Sequence, residues 1–456
     1  MNRNWPGWAF DRARAALTSS IAIGGTRIAG AGLGFLSQVL LAHLLGPADL
    51  GVFYAATSLA QVAGFATSQG YSHLAVRFSV RYGEKGRPDL FAAFVARAAH
   101  DGFVASVAAA CAIGFLAFAA PGLDLATRLS YAAAGVAVLA TSSLTLLTNL
   151  AGAQRSFGWC YLPEGLFRPI LFLIAVGALA LLVDHPRSAH ATIIYVALTC
   201  AIGVTVAVAL RPLLPRMRRP RPSERRLGRA WRREARPLVI LALMQNSFAD
   251  IAILFATPFL ASQDLAIFGL CLKLSLLIGY MVQVSQQMAL PDLAEARARR
   301  DPELGRRALL RACRWPTLST AAALVACMLF GGWMLMPFGP HFETGQPTLV
   351  VLVAAQLLRA LAGPSALRVT LAGAQRLNAF LCVASLAVLA VANALLIPVY
   401  GEVGAGAAVA LALAVWLGSL AATLLRLGEG RTDIFALARG GPRPPLPTAE
   451  LSASRG

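Results

Sequence analysis

Charged residues are scarce in this sequence. Asp, Glu, Lys and Arg make up only 13% of its 456 residues and hydrophobic residues make up 57%, whereas a soluble domain is about 25% charged. Apolar runs of 18 residues or more recur, and each is long enough to cross a bilayer core of about 30 Å as a helix. A transmembrane β-barrel would instead show short alternating segments. The composition therefore predicts an all-α polytopic membrane protein.

Motifs for catalysis, metal binding and nucleotide binding are also missing. The seven cysteines form no CxxC pair and have no metal-ligand spacing with histidine, and most lie in apolar runs, where Cys acts as a small hydrophobic residue. The sequence contains no GxxxxGK[ST], HExxH or GxSxG motif. No predicted outer loop is longer than about a dozen residues. We therefore expect no enzyme, no cofactor, no metal site and no direct use of ATP.

Acidic residues are outnumbered by basic ones, 21 to 40, which gives a formal charge of +19. With the N-terminus in the cytoplasm, 34 of the 40 basic residues fall on the cytoplasmic side, and only Arg128 and Arg187 fall outside. This is the positive-inside pattern. It accounts for the charge without nucleic acid, places both termini in the cytoplasm, and predicts contact between the basic loops and anionic phospholipids.

The apolar runs predict about twelve transmembrane helices in two halves. The predicted organisation is an interfacial N-terminal segment (1–16), a six-helix half (17–211), a basic cytoplasmic linker (212–236), a second six-helix half (237–427) and a disordered cytoplasmic tail (428–456). The predicted spans are 18–45, 49–74, 89–120, 129–150, 159–183, 189–211, 237–260, 264–290, 308–337, 347–370, 377–398 and 403–426.

The two halves carry an internal repeat. The six residues Leu150–Arg155 recur unchanged at Leu371–Arg376. A second similarity, with an offset of 215 residues, aligns 45–53 with 260–268. Continued along the chain, this alignment pairs Asp49 with Asp264, Phe53 with Phe268, Ser58 with Lys273 and Gly64 with Gly279. Each half has an even number of spans, so the repeat is parallel, and transporters of this kind bind substrate between the halves.

Ionisable side chains within the apolar runs are the first functional candidates, because each costs at least about 2.5–3.5 kcal/mol to insert. Six of them stand out, four cations (Arg27, Arg168, Lys273, Arg359) and two acids (Glu164, Asp250). The excess of cations predicts an anionic cargo, since Arg grips phosphate with two parallel hydrogen bonds and Lys acts as a point charge. Gln38 and Asn246 are candidates for contact with the sugar, and the two acids for coupling to an ion.

Each charge also has a structural interpretation. Arg27 can extend to the inner headgroups. Asp250 and Lys273 lie at one level on neighbouring helices and form either a structural ion pair or a cavity-facing pair that opens for an anion or a proton. Glu164 and Arg168 are four residues apart and can pair along one helix face. Arg359, about twelve residues into its span and so near the midplane, contacts either an anion or backbone carbonyls.

The stretch 40–53, LLAHLLGPADLGVF, resembles the start of the polysaccharide flippases of the MOP superfamily, the Wzx-type exporters of O-antigen, capsule and exopolysaccharide. Asp250–Leu254, Asp264–Gly269, Leu361–Pro364 and Leu371–Arg376 resemble later parts of that family. The resemblance implies a MATE-like fold with alternating access in the bacterial inner membrane. It implies transfer of an undecaprenyl-pyrophosphate-linked oligosaccharide to the outer leaflet, alongside glycosyltransferases and a polysaccharide polymerase. By their positions in the spans, the resemblance implies that pyrophosphate is bound by Arg27, Arg168, Lys273 and Arg359.

Three other functions are alternatives for a chain of this composition. A multidrug or cation exporter of the related MATE family would need acids for H⁺ or Na⁺, but the first span has Arg27 and no acid. A flippase for lipid II would usually have fourteen spans. A polysaccharide polymerase or ligase would be expected to have a large outer loop.

Overall fold

The computed structural model of the protein describes residues 7–154, 156–212, 225–299 and 301–427, with side chains from residue 29 onward at most positions. The predicted tail 428–456, residues 213–224 of the predicted linker, and Arg155 of the repeated hexapeptide lie outside this range. Every described element is helical. Large apolar side chains such as Phe115, Leu181 and Trp333 are exposed on the helix surfaces, as expected for surfaces in contact with lipid rather than water.

The first half of the chain forms seven helices and one π-helical turn. They are α1 (Gly7–Thr67), α2 (Tyr71–Glu84), α3 (Pro88–Ala119), α4 (Leu125–Ala153), α5 (Phe157–Leu162), the π turn Pro163–Phe167, α6 (Arg168–Leu182) and α7 (Ser188–Leu210). The second half forms α8 (Arg225–Asn246), α9 (Phe248–Ala256), α10 (Ser262–Arg299), α11 (Pro302–Leu335), two short 3₁₀ turns (Met336–Phe338 and Pro340–Gly345), α12 (Gln346–Ala362), α13 (Ser365–Leu371) and α14 (Gln375–Arg426).

Nine of the described helices are long and apolar enough to cross a membrane, or ten if the bent pair α8–α9 counts as one span. Two of the longest are interrupted by a glycine with positive φ, Gly46 (φ 69°) in α1 and Gly401 (φ 56°) in α14. Both glycines lie where the sequence predicts a loop between two spans. The all-helical fold is confirmed, and the count of twelve spans stays a prediction.

Helix starts follow local sequence signals. Asp301 precedes Pro302, and its Oδ1 accepts hydrogen bonds of 3.0 Å from the backbone N–H groups of Glu303 and Leu304, so α11 begins with a capped first turn. Asp124 caps α4 in the same way through Thr127. That hydrogen bond holds the pKa of the Asp124 carboxyl below its usual value. Asp124 also binds Arg187, which precedes α7, at 2.8 Å.

The chain divides into two compact units. The first comprises described residues of 1–45 and 63–236, and the second comprises 46–62 with described residues from 237 onward. In the first unit α4 packs between α3 and α7, and in the second α12 packs against α10, α11 and α14. Residues 46–62 belong to the first half of the sequence but pack within the second unit.

The repeat is visible in matched helix contacts. A Cβ placed on Gly64 would lie 2.7 Å from the Thr141 side chain of α4, and a Cβ placed on Gly279 would lie 2.6 Å from Oε1 of Gln356 of α12. Gly64 and Gly279 are the positions that the sequence repeat aligns. In each unit, therefore, the same glycine makes room for a polar side chain from a neighbouring helix.

Candidate functional site

Two charged side chains of the second unit, those of Asp250 and Lys273, contact residues on one face of α1. Ser58 Oγ donates a 3.0 Å hydrogen bond to Asp250 Oδ1. Lys273 Nζ lies 3.9 Å from the centroid of the Tyr54 ring, within the range of a cation–π interaction. Tyr54 and Ser58 are four residues apart and share one face of α1. The structure thus brings Asp250 and Lys273 to neighbouring positions, as the sequence predicts.

Local breaks and small residues position this pair. The chain bends by 80° between α8 and α9, and Asp250 lies in the first turn of α9, where the helix dipole stabilises a negative charge. A Cβ on Gly269 would lie 2.5 Å from the Tyr54 ring, so glycine is needed for the ring to pack on α10. Asn246, before the bend, is exposed and donates to the carbonyl of Ala242 at 3.0 Å.

Arg359 lies at a second break, further along the unit. It is partly buried in the last turn of α12, and it forms no hydrogen bond or ion pair with any residue that the structure describes. Gly363 (φ 62°) and Pro364 end the helix directly after it. The apolar run 347–370 is therefore split into α12 and α13, and the expected position of Arg359 near the midplane stays a prediction.

The register between α10 and α12 gives the level of Arg359. Gly279 lies against Gln356, and Gln286 Nε2 donates to Gly363 O at 3.3 Å. Both pairs are 77 residues apart, so the helices run parallel and Arg359 lies level with Val282. Lys273 is nine residues before that level, about 14 Å along α10 at about 1.5 Å per residue. Lys273 and Arg359 therefore do not form one cluster.

In the first unit, Arg168 lies over an aromatic ring, as Lys273 does in the second unit. Its Cζ lies 4.4 Å from the centroid of the Tyr195 ring, and its guanidinium donates to the Tyr195 hydroxyl. The predicted pairing with Glu164 was wrong, since Glu164 is exposed and forms no ion pair with a described residue. The π turn replaces i→i+4 hydrogen bonds with i→i+5 bonds, and the i,i+4 alignment of the two side chains is lost.

The first span touches this π turn. A Cβ on Gly30 would collide with the carbonyl oxygen of Gly165, whereas Gly34 has open space around it. Gly30 therefore permits the close helix approach and Gly34 does not contribute to it. Arg27 lies in α1, three residues before Gly30, but its side chain is outside the described part. Gln38 is partly buried in α1.

The sequence reasoning missed one buried acid. Asp101 of α3 is only 7% exposed, and its Oδ2 accepts hydrogen bonds from Tyr71 (2.9 Å), Arg97 (3.0 Å) and Arg232 (2.9 Å). Arg97 and Arg232 are each 35% exposed. The available signal was Arg97 four residues before Asp101 within an apolar run. Glu164 and Asp250 are thus not the only acids within predicted spans.

No known family model and no curated protein sequence matches this chain. Among solved structures, the lipid II flippase MurJ in an inward closed conformation superposes with a TM-score of 0.68 at 11% identity, covering 89% of this chain and 87% of MurJ. An inward-facing multidrug MATE transporter gives 0.64 at 13%, covering 90% and 96%. A MOP-superfamily transporter from Pyrococcus furiosus gives 0.56 at 14%, covering 92% and 96%.

This chain has the fold of the MOP-superfamily transporters. The MATE-like architecture expected from the sequence is confirmed by these superpositions. The three similar structures are described as a lipid flippase and two membrane transporters.

Proposed function

We propose that the protein transfers an anionic lipid-linked oligosaccharide, carried on a polyprenyl pyrophosphate, across the bacterial cytoplasmic membrane for cell-surface or exported polysaccharide. The observation that carries the proposal is Arg359, a partly buried cation for which the described protein supplies no counter-charge. An unpaired cation in such a place is costly, and a phosphate oxygen satisfies a guanidinium with two parallel hydrogen bonds. The cargo is therefore expected to bring the missing charge.

The charge balance supports an anion over a cation. Two other partly buried cations lie against aromatic rings, Lys273 against Tyr54 and Arg168 against Tyr195, and an aromatic face attracts positive charge. The transporter from Pyrococcus furiosus is described as having a binding pocket of reversed polarity that suggests a different function. Pocket polarity is thus the property to compare within this fold.

Two alternatives keep the same fold. The similarity to MurJ favours a polyprenyl-pyrophosphate carrier, and lipid II shares that chemistry with an oligosaccharide repeat unit. The MATE structures favour a cationic drug, which the Arg359 site would repel. Asp250, held by Ser58 at a helix N-terminus, is the candidate for coupling transport to an ion in any of the three cases.

The test is a complementation assay in cells that lack the protein and so lose surface polysaccharide. Arg359→Ala is expected to lower polymer output by roughly 30-fold or more, because loss of one partner of a buried charge contact costs about 2–5 kcal/mol. Arg359→Lys should keep part of the activity. The control is Arg376→Ala, which removes an exposed arginine of the same unit and should leave output unchanged.

A second measurement separates cargo binding from a structural role. If Arg359 only stabilises the C-terminal carbonyls of α12, Arg359→Gln lowers the melting temperature of the purified protein. If it awaits an anion, Arg359→Gln leaves the melting temperature unchanged or raises it, because an unpaired buried charge is removed. Full polymer output from Arg359→Ala at normal expression would overturn the proposal.

A further inference from the structure

One carboxamide near Arg359 has a buried oxygen to which no described residue donates a hydrogen bond. Gln356 is 5% exposed, and the unpaired atom is its Oε1. A buried amide without a partner is costly, and most such groups in folded proteins are satisfied. Packing against Gly279 fixes where the carboxamide lies, since any side chain at that position would displace it. The carboxamide oxygen is thus positioned without accepting a hydrogen bond from a described residue.

Gln356 and Arg359 are three residues apart and share one face of α12. Arg359 has no counter-charge among the described residues, so the two groups without partners are neighbours. The α10 residue next to the level of Arg359 is also polar, since Gln283 follows Val282 and is partly buried. An amide acceptor or donor beside an unpaired cation suits a ligand with a hydroxyl or acetamido group next to an anion.

The equivalent position in the first unit differs in one respect. Thr141 packs against Gly64 as Gln356 packs against Gly279, and its Oγ1 is likewise buried without a partner. Three residues further on, however, the first unit has Leu144 where the second has Arg359. Only the second unit therefore combines the positioned polar group with a cation.

We propose that Gln356 recognises the sugar of the cargo, by hydrogen bonding a hydroxyl or acetamido group of the residue attached to the phosphate that Arg359 binds. This assignment rests on the proposed function and adds a specificity-determining residue to it. The anion supplies affinity through Arg359. The carboxamide then distinguishes a glycosylated carrier from the bare one, because a buried polar group left unpaired penalises the ligand that lacks its partner.

The experiment measures binding of two probes to the full-length protein in detergent by ligand-induced shifts in melting temperature. The probes are a short polyprenyl pyrophosphate bearing one N-acetylhexosamine and the same polyprenyl pyrophosphate without sugar. Wild type should bind the sugar-bearing probe roughly three- to tenfold more tightly, the expected effect of one hydrogen bond. Gln356→Met should reduce this ratio to about one and leave binding of the bare probe unchanged.

Gln356→Met should also keep or raise the melting temperature of the ligand-free protein, because it replaces an unsatisfied buried amide with an apolar group of similar size. Gly279→Ala, which displaces the carboxamide, should lose the sugar preference as well. Thr141→Val is the matched control, and it should keep the preference. Arg359→Gln should weaken both probes.

The outcomes separate the two proposals. If wild type binds neither probe, the proposed function fails. If it binds both equally, or if Gln356→Met keeps the preference, the function stands and the assignment of Gln356 is wrong. A fall in the melting temperature of ligand-free Gln356→Met, with the preference retained, would assign Gln356 to packing alone.

Discussion

Replacing Asp101 by asparagine is expected to loosen the first turns of α8 from α3. In the wild type one carboxylate oxygen accepts three hydrogen bonds, two of them from arginines and one of those from Arg232 of α8. Breaking a buried ion pair costs about 3–5 kcal/mol. Because both arginines are about one-third exposed, water compensates part of this loss, and we expect about 2–3 kcal/mol.

Hydrogen–deuterium exchange on the purified protein measures this cost locally. The backbone amides of residues 229–236 should exchange roughly 30- to 150-fold faster in Asp101→Asn, since each 1.4 kcal/mol is a factor of ten. The same segment is also held by Trp231, which is buried, donates a 2.8 Å hydrogen bond to the Tyr82 hydroxyl and packs edge-on against Phe94. Exchange should therefore accelerate without complete loss of protection.

The control is Arg77→Ala, which breaks the exposed 3.6 Å contact between Arg77 and Glu234 of α8. Exposed pairs contribute about 0–1 kcal/mol, and this long contact should change exchange by less than about threefold. The reasoning is refuted if Asp101→Asn stays within threefold of wild type, or if Arg77→Ala has an equally large effect.

The other expectations concern helix packing and capping. Gly30→Ala should lower the yield and melting temperature of the folded protein, because the added Cβ would strike the Gly165 carbonyl, whereas Gly34→Ala should be tolerated; equal melting temperatures for the two variants would contradict the contact. Asp124→Ala should destabilise by about 1 kcal/mol through loss of the α4 cap, and Asp124→Asn by only a few tenths, because Asn also caps helices. The folded protein lowers the pKa of Asp124, so the stabilisation by its charge is present above about pH 4 and is lost as the pH falls through the lower folded value. Thermal melts should therefore show a difference between wild type and Asp124→Asn at pH 7 that narrows towards acidic pH, and a difference that does not change with pH would contradict a contribution from the charge.

Much of the helical framework follows from local sequence. Apolar runs locate the helices, Gly46 and Gly401 mark the breaks, and the aligned Gly64 and Gly279 identify matching helix contacts. The proximity of Asp250 and Lys273 also follows, because the sequence places both at one level on neighbouring helices. These features depend on residues close in sequence or related by the repeat.

Features that depend on tertiary packing could not be predicted. The π turn at 163–167 accompanies the close approach of Gly30 from a distant helix, and it removes the pairing expected between Glu164 and Arg168. Asp101 accepts a hydrogen bond from Arg232, which lies 131 residues further along the chain. α8 extends into the segment expected to be linker because Trp231 and Ala235 are buried one turn apart, an amphipathic pattern that the prolines and arginines of the linker obscured.

The neighbouring unpaired groups of Gln356 and Arg359 near the end of α12 also depend on tertiary packing. A sequence shows that Arg359 has no acid nearby in the chain, but only the fold shows that no described residue reaches it from elsewhere. The break at Gly363–Pro364 could have been read from the residues themselves, since Gly followed by Pro ends helices.

The most direct test of the anionic-cargo account is transport by the purified protein in liposomes. A fluorescent polyprenyl-pyrophosphate-linked oligosaccharide is placed in one leaflet, and its appearance in the other is measured beside uptake of a cationic dye. The account predicts transfer of the lipid-linked anion by wild type, loss of that transfer in Arg359→Ala, and no dye uptake by either. Dye uptake without transfer of the lipid-linked anion would contradict it.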